Sequence, residues 1–437
     1  MYWTIYALRE VPTVWVVERL NIDGEEIPVI RHAETWLPAP VALRYALRTR
    51  LRLGPASLTS ELRAIAILYN WAEATEGVGD FEDFLTSGQI LDWDQLLTFL
   101  PYLLSRRYYN TNELNVLPPD YAALPPIVCN QTFNGRLRAV REFLGWAIEP
   151  VHHGGDTLFD EDEREFETAK MVRLFRQQEL AEPESPRQEP ITIEEIVLIR
   201  RAIGPDGSGE FPRNVFTKAT RFRNWIMFEM ALNLGVRKGE LLTLKVSHLP
   251  ASRDEEHLIF VPRQQDAPED SRKRRPLRGK TRKRRVPLME PRLLPSILGY
   301  RDVSPPVGRN DPSISTPYLF VTKEGDPISN STADHIIRQI GRYAADLLDG
   351  DMTLDPHLRA RRKESLHALT WHRLRHTWAE LTALFLYRKY RDGAWAILKE
   401  WGGWKSEESM QRYIEYAKSA INEQAARDYI DSFKKRG

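Results

Sequence analysis

Hydrophobic and polar positions alternate at the start of the chain and then change period. YWTIYAL, TVWVVERL and IPVIRH are short runs of aromatic and β-branched residues, and Asp23-Gly24 between the last two is a hairpin turn signal. Beyond Pro38 and Pro40 the apolar positions recur at helical spacing: Leu58, Leu62, Ile65, Leu68 and Tyr69, with Thr59 as the expected N-cap. Trp93–Leu100 and Thr132–Ile148 read as further helices, the latter with Phe133, Leu137, Val140, Phe143 and Leu144 on one face. AEPESPRQEP, residues 181–190, is too rich in proline and glutamate to pack and reads as a linker. A new start follows at Ile191, where Thr192 caps a helix with Glu194 and Glu195 in its first turn. Trp225–Leu234 is strongly apolar and stops at Gly235. HLIFVP and RRVPL read as strands flanking a basic hairpin arm, and a second helical block runs from about residue 330 to the end, interrupted over 349–369 by a polar loop.

The expected organisation is a β-rich extension (1–37), a helical domain (38–180), the linker (181–190) and a second domain (191–437). Composition limits what these can do. At 437 residues and 42% hydrophobic, the chain supports two or three domains with real cores. The net charge of +1 argues neither for nor against nucleic acid, but its distribution is uneven. Ten Lys/Arg and no acid lie between Arg272 and Arg285, whereas 156–167 and 179–195 are acidic. Such a basic run is either a phosphate footprint or a solvated loop. Cys129 is the sole cysteine, which rules out an internal disulfide and a cysteine-based zinc site and fits a reducing compartment. No long apolar run or signal-type leader is visible, so no membrane partner is expected.

Candidate chemistry lies in four segments. Attack on a phosphodiester needs its non-bridging oxygens neutralised, a deprotonated nucleophile and an acid for the leaving oxygen. Arg237 in GVRKGELLTL suits the first task, because its planar fork donates two bonds and keeps its charge. Glu240, three residues on, is placed to hold that guanidinium; a plain surface ion pair is the alternative. His372 and Arg375 in LTWHRLRHTW share one side of a helix capped by Thr370, and the histidine is a natural proton carrier near neutral pH. It can equally be a core histidine, while a His372/His376 metal pair lacks a third ligand at recognisable spacing. Lys280, one of many basic side chains in the arm, can serve as acid if neighbouring arginines lower its pKa. Trp404 in GGWKSEESMQRYIEY offers an indole N–H, or simply plugs a core. Tyr413 and Tyr416 lie three apart on one helix, both expected to be exposed, and local sequence does not choose between them.

Taken together and in this order, the segments resemble the tyrosine recombinase (phage integrase-type) family. ALNLGVRKGELLTLKVSHL is similar to its first arginine box, LTWHRLRHTWAELT to its His-x-x-Arg box, and GGWKSEESMQRYIEY to its last box. In that last box a His or Trp precedes the nucleophile by nine positions, which selects Tyr413. GKTRKRRVPL is similar to the hairpin lysine segment, implying Lys280, and YLFVTKEGDPIS to the short segment before the final helices. Trp404 stands where histidine is commoner. The resemblance covers roughly 190–425. It implies a mainly α fold with small β-sheets: a helical core-binding domain plus a mixed α+β catalytic domain, closing as a C-shaped clamp on DNA. It further implies catalytic Arg237, Lys280, His372, Arg375, Trp404 and Tyr413, supported by Glu240. DNA contacts are expected from Arg272, Lys273, Arg274, Arg275, Arg278, Arg282, Lys283 and Arg284. The implied activity is site-specific recombination through a 3′-phosphotyrosine with no cofactor and no metal; a type IB topoisomerase or an inactive DNA-binding architectural protein are the alternatives. The implied partners are duplex DNA with specific recombination sites, a homotetramer on two sites (a dimer on one), and accessory bending or directionality factors. The terminal helix, with Ile421, Tyr429, Ile430 and Phe433, is expected to dock on a neighbouring protomer, and the setting to be cytoplasmic, at a bacterial nucleoid.

Overall fold

The computed structural model describes residues 14–22, 25–76, 78, 80–105, 128–149, 161–182, 189–204, 215–250, 270, 272, 293–303, 316–350 and 353–434. It divides into two compact units, Met1–Pro186 and Arg187–Gly437. The described residues are mainly helical with one two-stranded sheet.

In the first unit, β1 (Trp15–Ile22) pairs antiparallel with β2 (Glu25–His32), from Trp15 opposite His32 to Ile22 opposite Glu25. The expected turn residues Asp23 and Gly24, and the first expected strand, lie outside the described residues. The hairpin shares the helical core: Ile30 is buried among residues of α1 (Pro40–Thr49) and α2 (Pro55–Glu73). Asn70 on α2 fastens it. Its Oδ1 accepts from the Val14 and Trp15 backbone N–H groups, both at 2.8 Å, and its Nδ2 donates to the carbonyls of Trp15 and Ala66. A buried amide left without partners costs about 1–3 kcal/mol per group. Asn70→Leu should therefore destabilise this unit by about 2–4 kcal/mol, read as a fall in denaturant midpoint at unchanged slope.

Leu58, Leu62, Ile65, Leu68 and Tyr69 are all buried on α2, as is the predicted face of α5 (Asn130–Ala147). The short α3 (Phe81–Thr86), α4 (Trp93–Leu104) and α6 (Glu161–Gln177) complete the unit. Thr59 is not the N-cap of α2. That helix begins after Gly54 with Pro55 at its first position, where the missing N–H costs nothing, and Thr59 lies a turn inside, accepting from Arg19 Nε.

The second unit opens with α7 (Ile193–Ile203), whose Thr192 and Glu195 form the reciprocal capping box. Then come α8 (Lys218–Leu234), α9 (Lys238–Leu242), α10 (Leu293–Val303) and α11 (Asn330–Leu347). These helices and the start of α13 (Trp371–Tyr390) bury one core; the rest of α13 forms a second with α14 (Ala394–Gly402) and α15 (Gln411–Lys434).

The polar stretch expected to be a loop over 349–369 contains a helix, α12 (Pro356–His367). Its stability comes from both ends and from outside rather than from an apolar stripe. Asp355 caps it, accepting from His357 and Leu358 N–H, and Leu366 is its buried anchor. Arg361 pairs with Glu189 and Lys363 with Asp349. Gly341 of α11 permits close approach: a Cβ there would lie 2.2 Å from the Leu366 carbonyl oxygen. Among the described residues no helix is long and apolar enough to cross a membrane.

Candidate active site

Four chain segments meet around the two glycines that end α8 and α14. Gly235 caps α8 in the left-handed region at φ 56°, and a Cβ on it would fall 2.1 Å from the Trp378 ring. Gly403 caps α14 at φ 63°, and a Cβ on Gly402 would overlap the Trp404 ring at 1.7 Å. Trp378 and Trp404 stack on each other, 6.1 Å between centroids at 19°. Arg375, 3% exposed, spans this junction: Nη1 donates to the Gly235 carbonyl and Nη2 to that of Gly402 at 2.6 Å. Its guanidinium also lies 4.8 Å from the Trp404 ring. Trp404 packs in this core and its ring face covers an arginine.

Arg237 stands two residues beyond Gly235 as the N-cap of α9. Glu240 fixes it twice, accepting from the Arg237 backbone N–H at 2.8 Å and from Nη1 at 3.0 Å. With the Glu240 side chain only 5% exposed and that of Arg237 28% exposed, the pair presents its cation outward. Thr370 caps α13 by accepting from Arg373 N–H, and one turn later His372 is exposed while Arg375 is buried.

Tyr413 is buried, at 3% exposure, against the expectation of an exposed phenol; Tyr416 is half-buried. The Tyr413 ring packs 5.4 Å from Trp404 because α15 lays its first turn across α13. Burial raises its pKa above the ordinary tyrosine value, and the charge of Glu380 adds to this. Arg412, Arg375 and Arg237 all pull the other way without winning. Three cations therefore converge electrostatically on one phenol. His372, exposed overall but with its ring partly desolvated against its neighbours, is held below its ordinary pKa first by that desolvation and then by Arg375, Arg412 and Arg237. It is neutral near pH 7, and so able to take or relay a proton.

Three neighbours were not anticipated. His376 meets the Tyr413 hydroxyl at 2.5 Å, Arg412 lies over the Tyr413 ring, and Glu380 pairs with Arg412 at 3.7 Å while fully buried. Positions 372, 376 and 380 follow the four-residue helical repeat, so the signal was present in the spacing.

The structure also removes one residue from the DNA-binding set. Arg272 is 9% exposed, paired through Nη2 with Asp270 at 2.6 Å, and its Nη1 donates to the carbonyls of Leu242 and Ile328. It is a core tether, because a guanidinium out of water needs its donors filled locally. Lys280, Lys273, Arg274, Arg275, Arg278, Arg282, Lys283 and Arg284 lie outside the described residues, as do the two expected arm strands. Among the described residues no group of three metal-ligating side chains occurs.

A family model described as the phage integrase family matches residues 210–420, the stretch that holds every one of these site residues. That match marks residues 210–420 as a phage integrase family domain. No curated protein matches the chain. Among solved structures, the integrase of the Tn1549 transposon, in complex with a circular intermediate DNA, superposes with a TM-score of 0.50 at 14% identity, covering 88% of this chain and 99% of that one. The XerH site-specific recombinase bound to difH substrate gives a TM-score of 0.45 at 14% identity, over 85% of this chain and 80% of that one. At such identity the Tn1549 integrase match speaks for the fold alone. The mainly helical architecture of the described residues, with its small sheet, agrees with it.

Proposed function

We infer that this integrase-family chain cleaves and rejoins DNA strands at specific sites through a 3′-phosphotyrosine on Tyr413. Family membership and fold support site-specific DNA recombination as the class of activity. The finer reading rests on the setting of Tyr413, whose hydroxyl meets His376, whose ring lies under Arg412, and whose neighbour Trp404 is covered by Arg375. In this reading Arg237 and Arg375 neutralise the non-bridging oxygens of the scissile phosphate, with Arg375 pre-set by its two carbonyl bonds. His372 and Trp404 flank that phosphate. Tyr413 attacks phosphorus, the P–O5′ bond breaks, and Lys280 protonates the departing oxygen. A 5′ hydroxyl from partner DNA reverses the step. The covalent link conserves the bond energy, so the exchange needs no nucleotide hydrolysis and no metal.

The assembly is a homotetramer on two sites, a dimer on each, coupled by α15 docking on a neighbouring protomer. Lys273, Arg274, Arg275, Arg278, Arg282, Lys283 and Arg284 track the DNA backbone, which makes affinity fall steeply with salt. The deciding experiment traps the intermediate on a nicked suicide duplex carrying a candidate attachment site and maps the adduct by peptide mass. An adduct on the peptide holding Tyr413, attached to the 3′ end, is expected; attachment at another residue or at the 5′ end overturns the reading.

A further inference from the structure

His376 has no part in the chemistry just described, yet its ring nitrogen meets the hydroxyl of the nucleophile. Its Nδ1 lies 2.5 Å from the Tyr413 hydroxyl, and at 7% exposure it is shielded from solvent. On its other side the ring meets that of His372 edge-on, with 4.1 Å between centroids, and His372 is exposed. A buried phenol is thus joined through one buried imidazole to an imidazole at the surface. With the ring proton on Nε2, Nδ1 is free to accept from the phenol.

We propose that His376 is the general base of strand cleavage, taking the Tyr413 proton as the phenolic oxygen attacks phosphorus. This rests on the strand-transfer reading above and adds the destination of one proton. The Tyr413 O–P bond forms, the P–O5′ bond breaks, and the phenolic proton moves to Nδ1 to give an imidazolium. The leaving oxygen draws its own proton from the acid, Lys280 in that reading. In rejoining, the imidazolium returns its proton to the departing phenolate, so no co-reactant is consumed.

The surroundings explain why the pair rests unreacted. Tyr413 and Arg412 face His376 from α15, His372, Arg375 and Glu380 lie on its own helix, and Arg237 stands at the start of α9. Burial, followed by His372, Arg412 and Arg375, pushes the His376 pKa down to about 3. The proton therefore stays on Tyr413 while the site is empty. An entering phosphodiester brings an anion that offsets the arginines, which raises the basicity of the imidazole when the base is needed.

The test measures single-turnover adduct formation on the suicide duplex for the unmodified protein, His376→Gln, His376→Gly and Tyr413→Phe across pH. Glutamine keeps a hydrogen-bond acceptor near the phenol but is no base. His376→Gln should be slower by about 10²–10⁴-fold with DNA affinity preserved, and its rate should climb with pH as hydroxide substitutes. Free imidazole should partly restore His376→Gly, which a purely structural role would not allow. If His376→Gln reacts near the unmodified rate while Tyr413→Phe forms no adduct, the base is elsewhere and the recombinase reading stands. An adduct in Tyr413→Phe would instead sink that reading. Nitrogen-15 resonances of His376 in the unmodified protein give a check independent of variant folding: an unprotonated Nδ1 is expected, and a protonated one overturns the proposal.

Discussion

Tyr413→Phe should leave no covalent protein–DNA adduct on a nicked suicide duplex, whereas Tyr416→Phe should form it at close to the unmodified rate. The substitution removes one oxygen and keeps the ring. Tyr413 is packed in the core shared by α13, α14 and α15, with Trp404 against it, so the ring's contacts survive the change. DNA binding should survive with them, and the loss is confined to the bond-forming atom. The two tyrosines are three residues apart on α15, and sequence spacing alone gave no choice between them. The surroundings do distinguish them: Arg412, Arg375 and Arg237 act on the Tyr413 phenol, and His376 Nδ1 meets its hydroxyl. Loss of the adduct in Tyr416→Phe alone would reverse the assignment.

Arg375→Lys should slow adduct formation by about 10²–10³-fold, the usual effect of removing one preorganised donor from a charge-stabilising site. Lysine preserves the charge but not the fork. The guanidinium reaches two carbonyls belonging to different helix ends, Gly235 and Gly402, and an ammonium on a flexible stem cannot replace both bonds at once. One carbonyl is then left buried without its partner, at a cost of about 1–3 kcal/mol in stability. Both effects are read on one preparation, by quenched single-turnover kinetics and by chemical denaturation. An unchanged rate would show that Arg375 acts on the backbone and not on the phosphate.

The local placement of Arg237 and His372 was legible because it depends on neighbouring sequence. Gly235 stops α8 by its left-handed backbone, and Thr370 caps α13, so the placement of Arg237 and His372 follows from neighbours within a few positions. Contacts between distant segments were not legible. α12 reads as a polar loop because it has no apolar stripe and its partners come from elsewhere: Glu189 pairs with Arg361, and Asp349 pairs with Lys363. Arg272 reads as a DNA contact because it opens a basic run, while Asp270, two residues before it, sequesters its charge in the core. The burial of Tyr413 is a further case, since it depends on how α15 crosses α13, and no periodicity in either helix specifies that crossing.

The stacked indoles of Trp378 and Trp404 are also an optical reporter. Two such chromophores at short range couple their electronic transitions, and where the transition dipoles are skewed the coupling gives a circular-dichroism couplet that neither produces alone. Because one ring abuts the end of α8 and the other the end of α14, that signal registers whether these helix ends are seated together. Its amplitude would track assembly of the apparatus in solution without any label.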